Sequence, residues 1–190
     1  MKNIIETQNF YLRPFNKDDF DMFYEWAKTG EAIAINTKDD LKDRLSRFIA
    51  SYNDLGFTKF AVFHKETKEF VGYCGFALLY DSSNKFVHPL QENELTRKMK
   101  QFAGKNYCNH YGDLELGYRL HKQYWGKGYA TELAKGVCNW AFDTLPIDRI
   151  VAFTTCDNFA SQRVLEKIGF EYIQNVDMHG YDRFYALKKI

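Results

Sequence analysis

Hydrophobic and polar residues recur along the chain with two different periods, and these periods predict where strands and helices lie. Over residues 114–120, Leu114, Leu116 and Tyr118 alternate with less apolar residues, and this period of two predicts a half-buried strand. Over residues 39–52, apolar side chains recur three and four positions apart, which predicts an amphipathic helix. The presence of both signals indicates a mixed α/β fold.

Turn and cap residues extend this assignment to the rest of the chain. Asn16 caps a predicted first helix, while Thr37 and Asp40 stand at capping-box spacing before the second. Further strands are predicted at about 10–13, 60–64, 70–79, 150–153, 170–173 and 183–187, and further helices after the glycine turn at 126–128 and after Asp157 or Asn158. The polar run at 65–68 predicts a β-hairpin between two of these strands.

The pattern breaks between about residues 80 and 112, which we interpret as an irregular insert. It contains Pro89, and apolar residues at 95, 99 and 102 have the spacing of a short helix. A segment of this length exceeds an ordinary connection, which favours a functional or partner-binding role. Apart from this insert, the length predicts one domain over residues 1–190.

Composition and charge exclude several classes of function. The 26 Lys and Arg against 25 Asp and Glu give a net charge of +1, which provides no field for nucleic acid or an anionic membrane. No stretch of 18 apolar residues predicts a membrane span, and the polar residues within the first 15 positions argue against a signal peptide. We therefore expect a soluble, cytoplasmic protein that is a monomer or a homodimer.

The cysteines and histidines predict neither a metal site nor a disulfide framework. The four cysteines are widely separated, and no two histidines have metal-ligand spacing, so we expect free thiols and no metal. Cys138 and Cys156 have no His and acidic partner placed by a motif, which disfavours a covalent intermediate on cysteine.

The turn between the strand at 114–120 and the next helix has the character of an anion site. Backbone N–H groups and the positive end of the helix dipole converge there, and Gly126 and Gly128 allow a phosphate close to the backbone. A dinucleotide fingerprint needs a third glycine where Thr131 stands, and a P-loop needs Ser or Thr after Lys127. Neither of these motifs fits.

The pattern Gln123-x-x-Gly126-x-Gly128-x-Ala130 resembles the acyl-CoA signature of the GNAT superfamily of N-acetyltransferases. Residues 158–170 resemble the second motif of the branch that contains the ribosomal-protein N-terminal alanine and serine acetyltransferases. The runs at 12–14, 117–118 and 125–132 are also similar to that branch. These matches extend over nearly the whole chain in the expected order, and only the insert lacks a counterpart.

The resemblance implies a single GNAT-type domain and acetyl-CoA as cosubstrate. Its central sheet would be mixed but mostly antiparallel, with about six or seven strands and about four flanking helices. The residues implied in cofactor binding are Tyr118, Leu120, Gln123, Trp125, Gly126, Lys127, Gly128, Tyr129, Ala130 and Asn158. For Asn158 a plain helix cap is an alternative, and Lys127 can equally be a solvated loop lysine.

Direct transfer to an amine needs a base, and the resemblance implies Glu115 in this role. The strand pattern places Glu115 on the face opposite Leu114 and Leu116. An ordinary solvent-facing glutamate is the alternative interpretation, and Asp113 is the next candidate base. The oxyanion of the tetrahedral intermediate would be met by a backbone N–H near Tyr118.

The departing thiolate needs a proton donor, and here the sequence departs from the family pattern. Many members carry a tyrosine where this chain has Leu165. Ser161 is the residue implied by some relatives in this branch, and Tyr172, Tyr181 and Tyr185 are alternatives.

The nature of the acceptor depends on how readily its amine loses a proton. An α-amine with a pKa of about 8 is about one-tenth neutral at pH 7, whereas a lysine with a pKa of about 10.4 is less than about one-thousandth neutral. We therefore expect an α-amine, most simply a protein or peptide N-terminus. A small-molecule amine and a non-catalytic acyl-CoA-binding module are the alternatives.

Overall fold

A computed structural model of the chain describes residues 5–31, 37–78, 114–176 and 182–189. The predicted insert at about 80–112, with its short helix, lies outside the described residues, and so do Asp113 and Tyr181.

The described residues form four α-helices and eight strands. The helices are α1 (Phe20–Lys28), α2 (Lys38–Leu55), α3 (Tyr129–Thr144) and α4 (Phe159–Lys167). The strands are β1 (Ile5–Glu6), β2 (Phe10–Arg13), β3 (Lys59–His64), β4 (Phe70–Leu78), β5 (Leu114–Leu120), β6 (Arg149–Thr155), β7 (Glu171–Val176) and β8 (Asp182–Lys188). Short 3₁₀ turns occupy Lys17–Asp19 and Lys122–Tyr124.

The strands follow one another in the order β1-β2-β3-β4-β5-β6-β8-β7. β5 and β6 are parallel, while β1–β2, β2–β3, β3–β4, β6–β8 and β7–β8 are antiparallel. This confirms the mixed, mostly antiparallel sheet. The sheet has one strand more than predicted, because the two residues of β1 are too few to produce a periodic pattern.

The chain divides into two compact units, each assembled from two separate segments. Unit 1 comprises 1–75 and 118–136, and unit 2 comprises 76–117 and 137–190. Strand β5 begins in unit 2 and ends in unit 1, and α3 begins in unit 1 and ends in unit 2. A single domain over 1–190 stays a prediction.

One hydrophobic cluster of unit 1 lies where α1 and α2 pack against β3 and β4. Its buried members are Phe15, Phe23, Trp26, Leu41, Leu45, Ala61, Phe63 and Tyr73. The predicted capping box of α2 is confirmed, because Thr37 and Asp40 exchange side-chain and backbone hydrogen bonds. The prediction for Asn16 needs correction: it caps the 3₁₀ turn before α1, and the turn's Asp19 is held by Arg13 at 2.7 Å.

Two glycines of β4 allow neighbouring backbone to approach unusually closely. A Cβ on Gly72 would lie 2.1 Å from the carbonyl oxygen of Arg119, and one on Gly75 would lie 2.2 Å from that of Thr58. Contacts this short exclude any side chain. Because Gly72 has no side chain, the backbone at the end of β5 can pack directly against it. The loop at 121–128 begins where β5 ends.

One hydrophobic cluster of unit 2 lies on β6 and β8. Val151, Val176 and Phe184 are buried together, with Phe153 and Ala186 packed against them. The opposite face of the same strands carries Thr154 and Tyr185.

Candidate active site

The glycine turn before α3 has the shape that an anion requires. Gly126 and Gly128 adopt φ values of +73° and +81°, in the left-handed region that favours glycine. A Cβ built on either residue would meet nothing within 4 Å, so the space beside this backbone is open. A phosphate can therefore approach the turn directly.

The first turn of α3 supplies hydrogen-bond donors at the same place. The first helical hydrogen bond runs from the Glu132 N–H to the Gly128 carbonyl oxygen, at 3.1 Å. The N–H groups at the start of an α-helix have no partner within the helix, and the helix dipole adds positive potential there. Residues 129–131 thus present their N–H groups to an anion.

Aromatic side chains fix the conformation of this loop. Trp125 Nε1 donates to the Leu120 carbonyl oxygen at 2.8 Å, and the Tyr124 hydroxyl donates to Glu69 Oε2 at 2.9 Å. Tyr129 packs edge-to-face on Phe10 with a centroid separation of 4.9 Å. Hydrogen bonds and ring contacts of this kind hold the loop in one shape before any ligand arrives.

The predicted cofactor residues of the loop differ in what they can offer a ligand. The Leu120 side chain is buried, so only its backbone can contribute, whereas Gln123 and Trp125 are exposed. Lys127 Nζ lies 5.9 Å from the Tyr124 ring centroid, which gives this exposed lysine a cation–π contact. The site is built mainly from backbone groups.

The carboxylate of Glu31, which follows α1, contacts the start of the loop. Glu31 Oε2 accepts a hydrogen bond from the Lys122 backbone N–H at 3.0 Å and lies 3.5 Å from His121 Nδ1. Burial lowers the pKa of His121, an effect that the Glu31 carboxylate partly opposes. No local signal reveals this contact, because its members are 91 positions apart in the sequence.

A second carboxylate ties α3 to the turn between β1 and β2. Glu132 accepts hydrogen bonds from the Asn9 backbone N–H and from Asn9 Nδ2, both at 2.7 Å. Burial alone would raise the pKa of Glu132, but hydrogen bonds from Asn9 and Thr7 outweigh burial and lower it. One turn later, a Cβ on Gly136 would lie 2.6 Å from Thr7 Cγ2, so the glycine makes room for this turn.

In unit 2, β5 and β6 pair over a very short distance. Their register pairs are Leu114 with Ile150 and Glu115 with Val151, although each strand has seven residues. The ladder therefore stops at Glu115, which is half-buried. We call this point the fork.

Asn158 and Ser161 lie at the start of α4, also in unit 2. Asn158 Oδ1 accepts a hydrogen bond from the Ser161 backbone N–H at 3.1 Å, so Asn158 does cap this helix. Leu165, one turn after Ser161, is buried. Contact of Asn158 with a cofactor stays a prediction, and so does the role of Ser161.

Two of the described cysteines lie in the interior of the protein. Cys74 and Cys138 are buried, and burial raises the pKa of the Cys74 thiol to about 12. Among the residues that the structure describes, no three His, Cys, Asp or Glu side chains group as metal ligands. Within that same part of the chain, no helix is long and apolar enough to cross a membrane.

Comparison with known proteins agrees with this geometry. A family model described as "Acetyltransferase (GNAT) domain" matches residues 9–171. The uncharacterized N-acetyltransferase p20 of Bacillus licheniformis is 25% identical over 171 residues, which cover 87% of this chain and 80% of p20. The chain therefore belongs to the GNAT acetyltransferase family.

Solved structures show the same fold at low sequence identity. A GnaT-family acetyltransferase from Bordetella pertussis superposes with a TM-score of 0.77 at 16% identity, covering 97% of this chain and 99% of that one. RimL, a ribosomal L7/L12 α-N-protein acetyltransferase in complex with coenzyme A, gives 0.72 at 14% identity, with 98% of both chains covered. These structures show the fold, while membership of the GNAT acetyltransferase family makes the protein an N-acetyltransferase with acetyl-CoA as the acetyl donor.

Proposed function

We propose that this enzyme transfers an acetyl group directly from acetyl-CoA to the α-amine of a protein or peptide N-terminus. The observation that carries the proposal is the fork in unit 2, where pairing between β5 and β6 stops at Glu115. Beyond a point of this kind, strand edges that no longer pair with each other can hydrogen-bond an extended ligand. Glu115 is then the carboxylate nearest to that ligand along β5.

The loop at 123–130 is the proposed site for the pyrophosphate of CoA. Open space beside Gly126 and Gly128, together with the N–H groups at the start of α3, supports this assignment. Tyr118, at the end of β5, would offer backbone groups to the pantetheine arm, and Asn158 would contact the cofactor from α4. These contacts position the thioester and need no metal.

In the proposed reaction Glu115 takes the proton that the amine must lose. The amine nitrogen forms a bond to the thioester carbon, and the tetrahedral intermediate collapses with cleavage of the carbon–sulfur bond. The electron pair of that bond leaves on sulfur. Ser161 passes a proton from water to this thiolate, so the products are an N-acetyl amine and CoA.

An α-amine suits this site because a larger fraction of it is already in the neutral, reactive form at pH 7. Its pKa is about 2.4 units below that of a lysine side chain, so its neutral form is more than about a hundredfold more abundant at pH 7. RimL, whose fold the chain shares, is a ribosomal L7/L12 α-N-protein acetyltransferase. One carboxylate base is therefore sufficient to deprotonate such an acceptor.

The experiment is a direct competition among three amines at equal concentration. One is a lysine-free peptide with a free N-terminus, the second is the same peptide N-blocked with a single lysine, and the third is spermidine. Release of CoA thiol is followed at pH 7, and mass spectrometry identifies the acetylated product. We expect preferential turnover of the first peptide; preference for the blocked peptide or for spermidine would overturn the acceptor assignment while leaving acetyl transfer intact.

A further inference from the structure

Arg44 occupies a position of α2 that otherwise faces the hydrophobic interior. Leu41, Leu45 and Phe48 recur on one stripe of this helix and belong to the hydrophobic cluster of unit 1. Residue 44 falls on the same stripe, three positions after Leu41 and four before Phe48. The Arg44 side chain is consequently half-buried, although arginine is rarely buried without a partner. Packing alone does not explain an arginine at this position.

The guanidinium of Arg44 has a donor that lacks a hydrogen bond. Its Nε atom is buried and has no hydrogen-bond partner among the described residues. Asp40 lies one turn earlier in α2, but its Oδ2 accepts the capping hydrogen bond from the Thr37 N–H at 2.9 Å. A guanidinium carries five N–H donors, and leaving a buried donor unpaired is costly. Such a group is explained when a ligand supplies the acceptor.

Contacts between β4 and β5 place Tyr73 next to Arg119. The two strands are neighbours in the sheet, and the His121 N–H donates to the Val71 carbonyl oxygen at 2.9 Å. A Cβ on Gly72, the next residue of β4, would meet the carbonyl oxygen of Arg119. Contacts thus move forward along β4 as they move back along β5, so Tyr73 lies opposite Arg119 on one face of the sheet.

Helix α2 brings two further arginines to the same face. The Tyr73 ring packs edge-to-face on Phe48 of α2 at a centroid separation of 5.9 Å. Arg44 lies one turn before Phe48, and Arg47 is three positions after Arg44, so these side chains are neighbours on the helix. Arg44, Arg47 and Arg119 therefore surround Tyr73, and we call them the arginine cluster. All three belong to unit 1.

The electrostatics of the arginine cluster favour an anion. Burial is the main reason that the pKa of Arg44 is lowered; the charges of Arg47 and Arg119 lower it further, while Tyr73 and Asp40 oppose them. Arginine nevertheless stays charged at neutral pH, so the like charges repel one another. Arg47 and Arg119 are exposed, and an anion can reach the cluster from solvent.

We propose that the arginine cluster binds a carboxylate of the acceptor, supplied by an aspartate or glutamate close to the acceptor's N-terminus. This inference rests on the proposed function. β5 carries both Arg119 and the proposed base Glu115, and residues an even number apart on a strand point to the same side. An extended acceptor whose amine reaches Glu115 would follow this row of β5 towards Arg119. Guanidinium groups bind carboxylates through paired, charge-assisted hydrogen bonds, which supply the acceptor that Arg44 lacks.

The test compares two lysine-free peptides with free N-termini. One has aspartates at its second, third and fourth positions, and the other has asparagines there, so that the two differ in charge but little in shape. The wild-type enzyme should show a kcat/KM about 10- to 100-fold higher for the aspartate peptide, because hydrogen bonds between charged groups are strong. This preference should shrink as the salt concentration rises.

Substitutions on α2 assign the preference to the arginine cluster. Arg44→Met removes the charge but keeps a long side chain, and it should reduce the preference to about threefold or less through a higher KM for the aspartate peptide. The KM for acetyl-CoA should not change. The matched control is Lys42→Met, which removes a positive charge from the same helix but from another face, because residues two apart do not face each other. This control should keep the wild-type preference.

Stability and a second variant separate this role from a structural one. Arg44→Met should keep or raise the unfolding midpoint, because the removed Nε–H has no partner to lose and repulsion within the cluster falls. Arg119→Met changes an exposed residue of β5 and should also lower the preference, so the inference can be tested even if Arg44→Met does not fold.

Three results would overturn the inference. The first is equal turnover of the two peptides by the wild type, and the second is a preference that survives in both Arg44→Met and Arg119→Met. The third is a rise in the KM for acetyl-CoA with an unaltered peptide preference, which would assign these arginines to the cofactor. Turnover of spermidine or of an N-blocked lysine peptide in place of both free N-termini would instead overturn the proposed function, and the inference with it.

Discussion

The two units differ in the kind of chemical group that each offers as a candidate for cofactor binding and catalysis. In unit 1 the loop before α3 offers backbone N–H groups and open space, and its side chains serve mainly to hold its shape. In unit 2 the candidate groups are the side chains of Glu115 and Ser161. A backbone site tolerates side-chain change but not a change of conformation, whereas a side-chain site responds to the loss of single atoms.

The sharpest test of this contrast is Glu115→Gln in unit 2. We expect kcat at pH 7 to fall by about 10²- to 10⁴-fold, because the variant has no carboxylate to take the amine's proton. The deficit should shrink as pH rises, since more of the amine is then already neutral. Profiles of kcat between pH 6.5 and about 9.5 measure both effects. Glu171→Gln, an exposed strand glutamate, is the control, and full activity of Glu115→Gln at pH 7 would remove Glu115 from the mechanism.

For unit 1 the corresponding change is Gly128→Val. A branched residue at φ +81° is strained and fills the space where a phosphate would approach. We expect the KM for acetyl-CoA to rise by about 10- to 100-fold with a smaller change in kcat.

The chain offers a matched control for this variant in Gly56. It has the same φ of +81° and the same open space beside its Cα, but it ends α2 outside the loop. Gly56→Val should therefore lose stability without changing the KM. An equal rise in KM for both variants would attribute the effect to strain alone.

A smaller effect is expected at Glu132, which supports the loop without belonging to it. Glu132→Gln weakens two charge-assisted hydrogen bonds from Asn9 and should lower the free energy of unfolding at pH 7 by about 1–2 kcal/mol. Because folding lowers the pKa of Glu132, its contribution is present above the pKa of the unfolded chain. It disappears as pH falls through the folded pKa.

Urea unfolding at pH 7 and at about pH 3 measures this difference. The wild type and Glu132→Gln should differ at the higher pH and converge at the lower one. Glu166→Gln changes an exposed glutamate and should show neither effect. A difference in the free energy of unfolding between the wild type and Glu132→Gln that persists at the lower pH would contradict the hydrogen-bond explanation.

The smallest effect should come from Lys127→Ala, a side chain of the loop itself. Lys127 is exposed, and exposed charges contribute little to binding energy at physiological salt. We expect the KM for acetyl-CoA to change by about twofold or less. A tenfold rise would show that this lysine pairs with a phosphate and that the loop does not rely on its backbone alone.

Sequence patterns predicted those features that depend on neighbouring residues. The capping box of α2, the strand at 114–120 and the glycine turn before α3 were all visible as local spacing. The pairing of Asn9 with Glu132 spans 123 positions, and that of Glu31 with Lys122 spans 91, so no local pattern could reveal them. The hydroxyls of Thr154 and Tyr185 are buried without a hydrogen-bond partner among the described residues, and a single sequence does not record such surroundings.

The discontinuous make-up of unit 1 has a consequence for how the protein emerges from the ribosome. Its first segment ends at residue 75, but the segment that completes it, with Glu132, ends at residue 136. At about 5–20 residues per second, about sixty further residues take roughly 3 to 12 seconds to synthesise. During that time α1, α2 and the first four strands lack the partners supplied by β5 and α3. Contacts of such long sequence separation form late, so this interval is when the nascent chain is most exposed to aggregation and most dependent on chaperones.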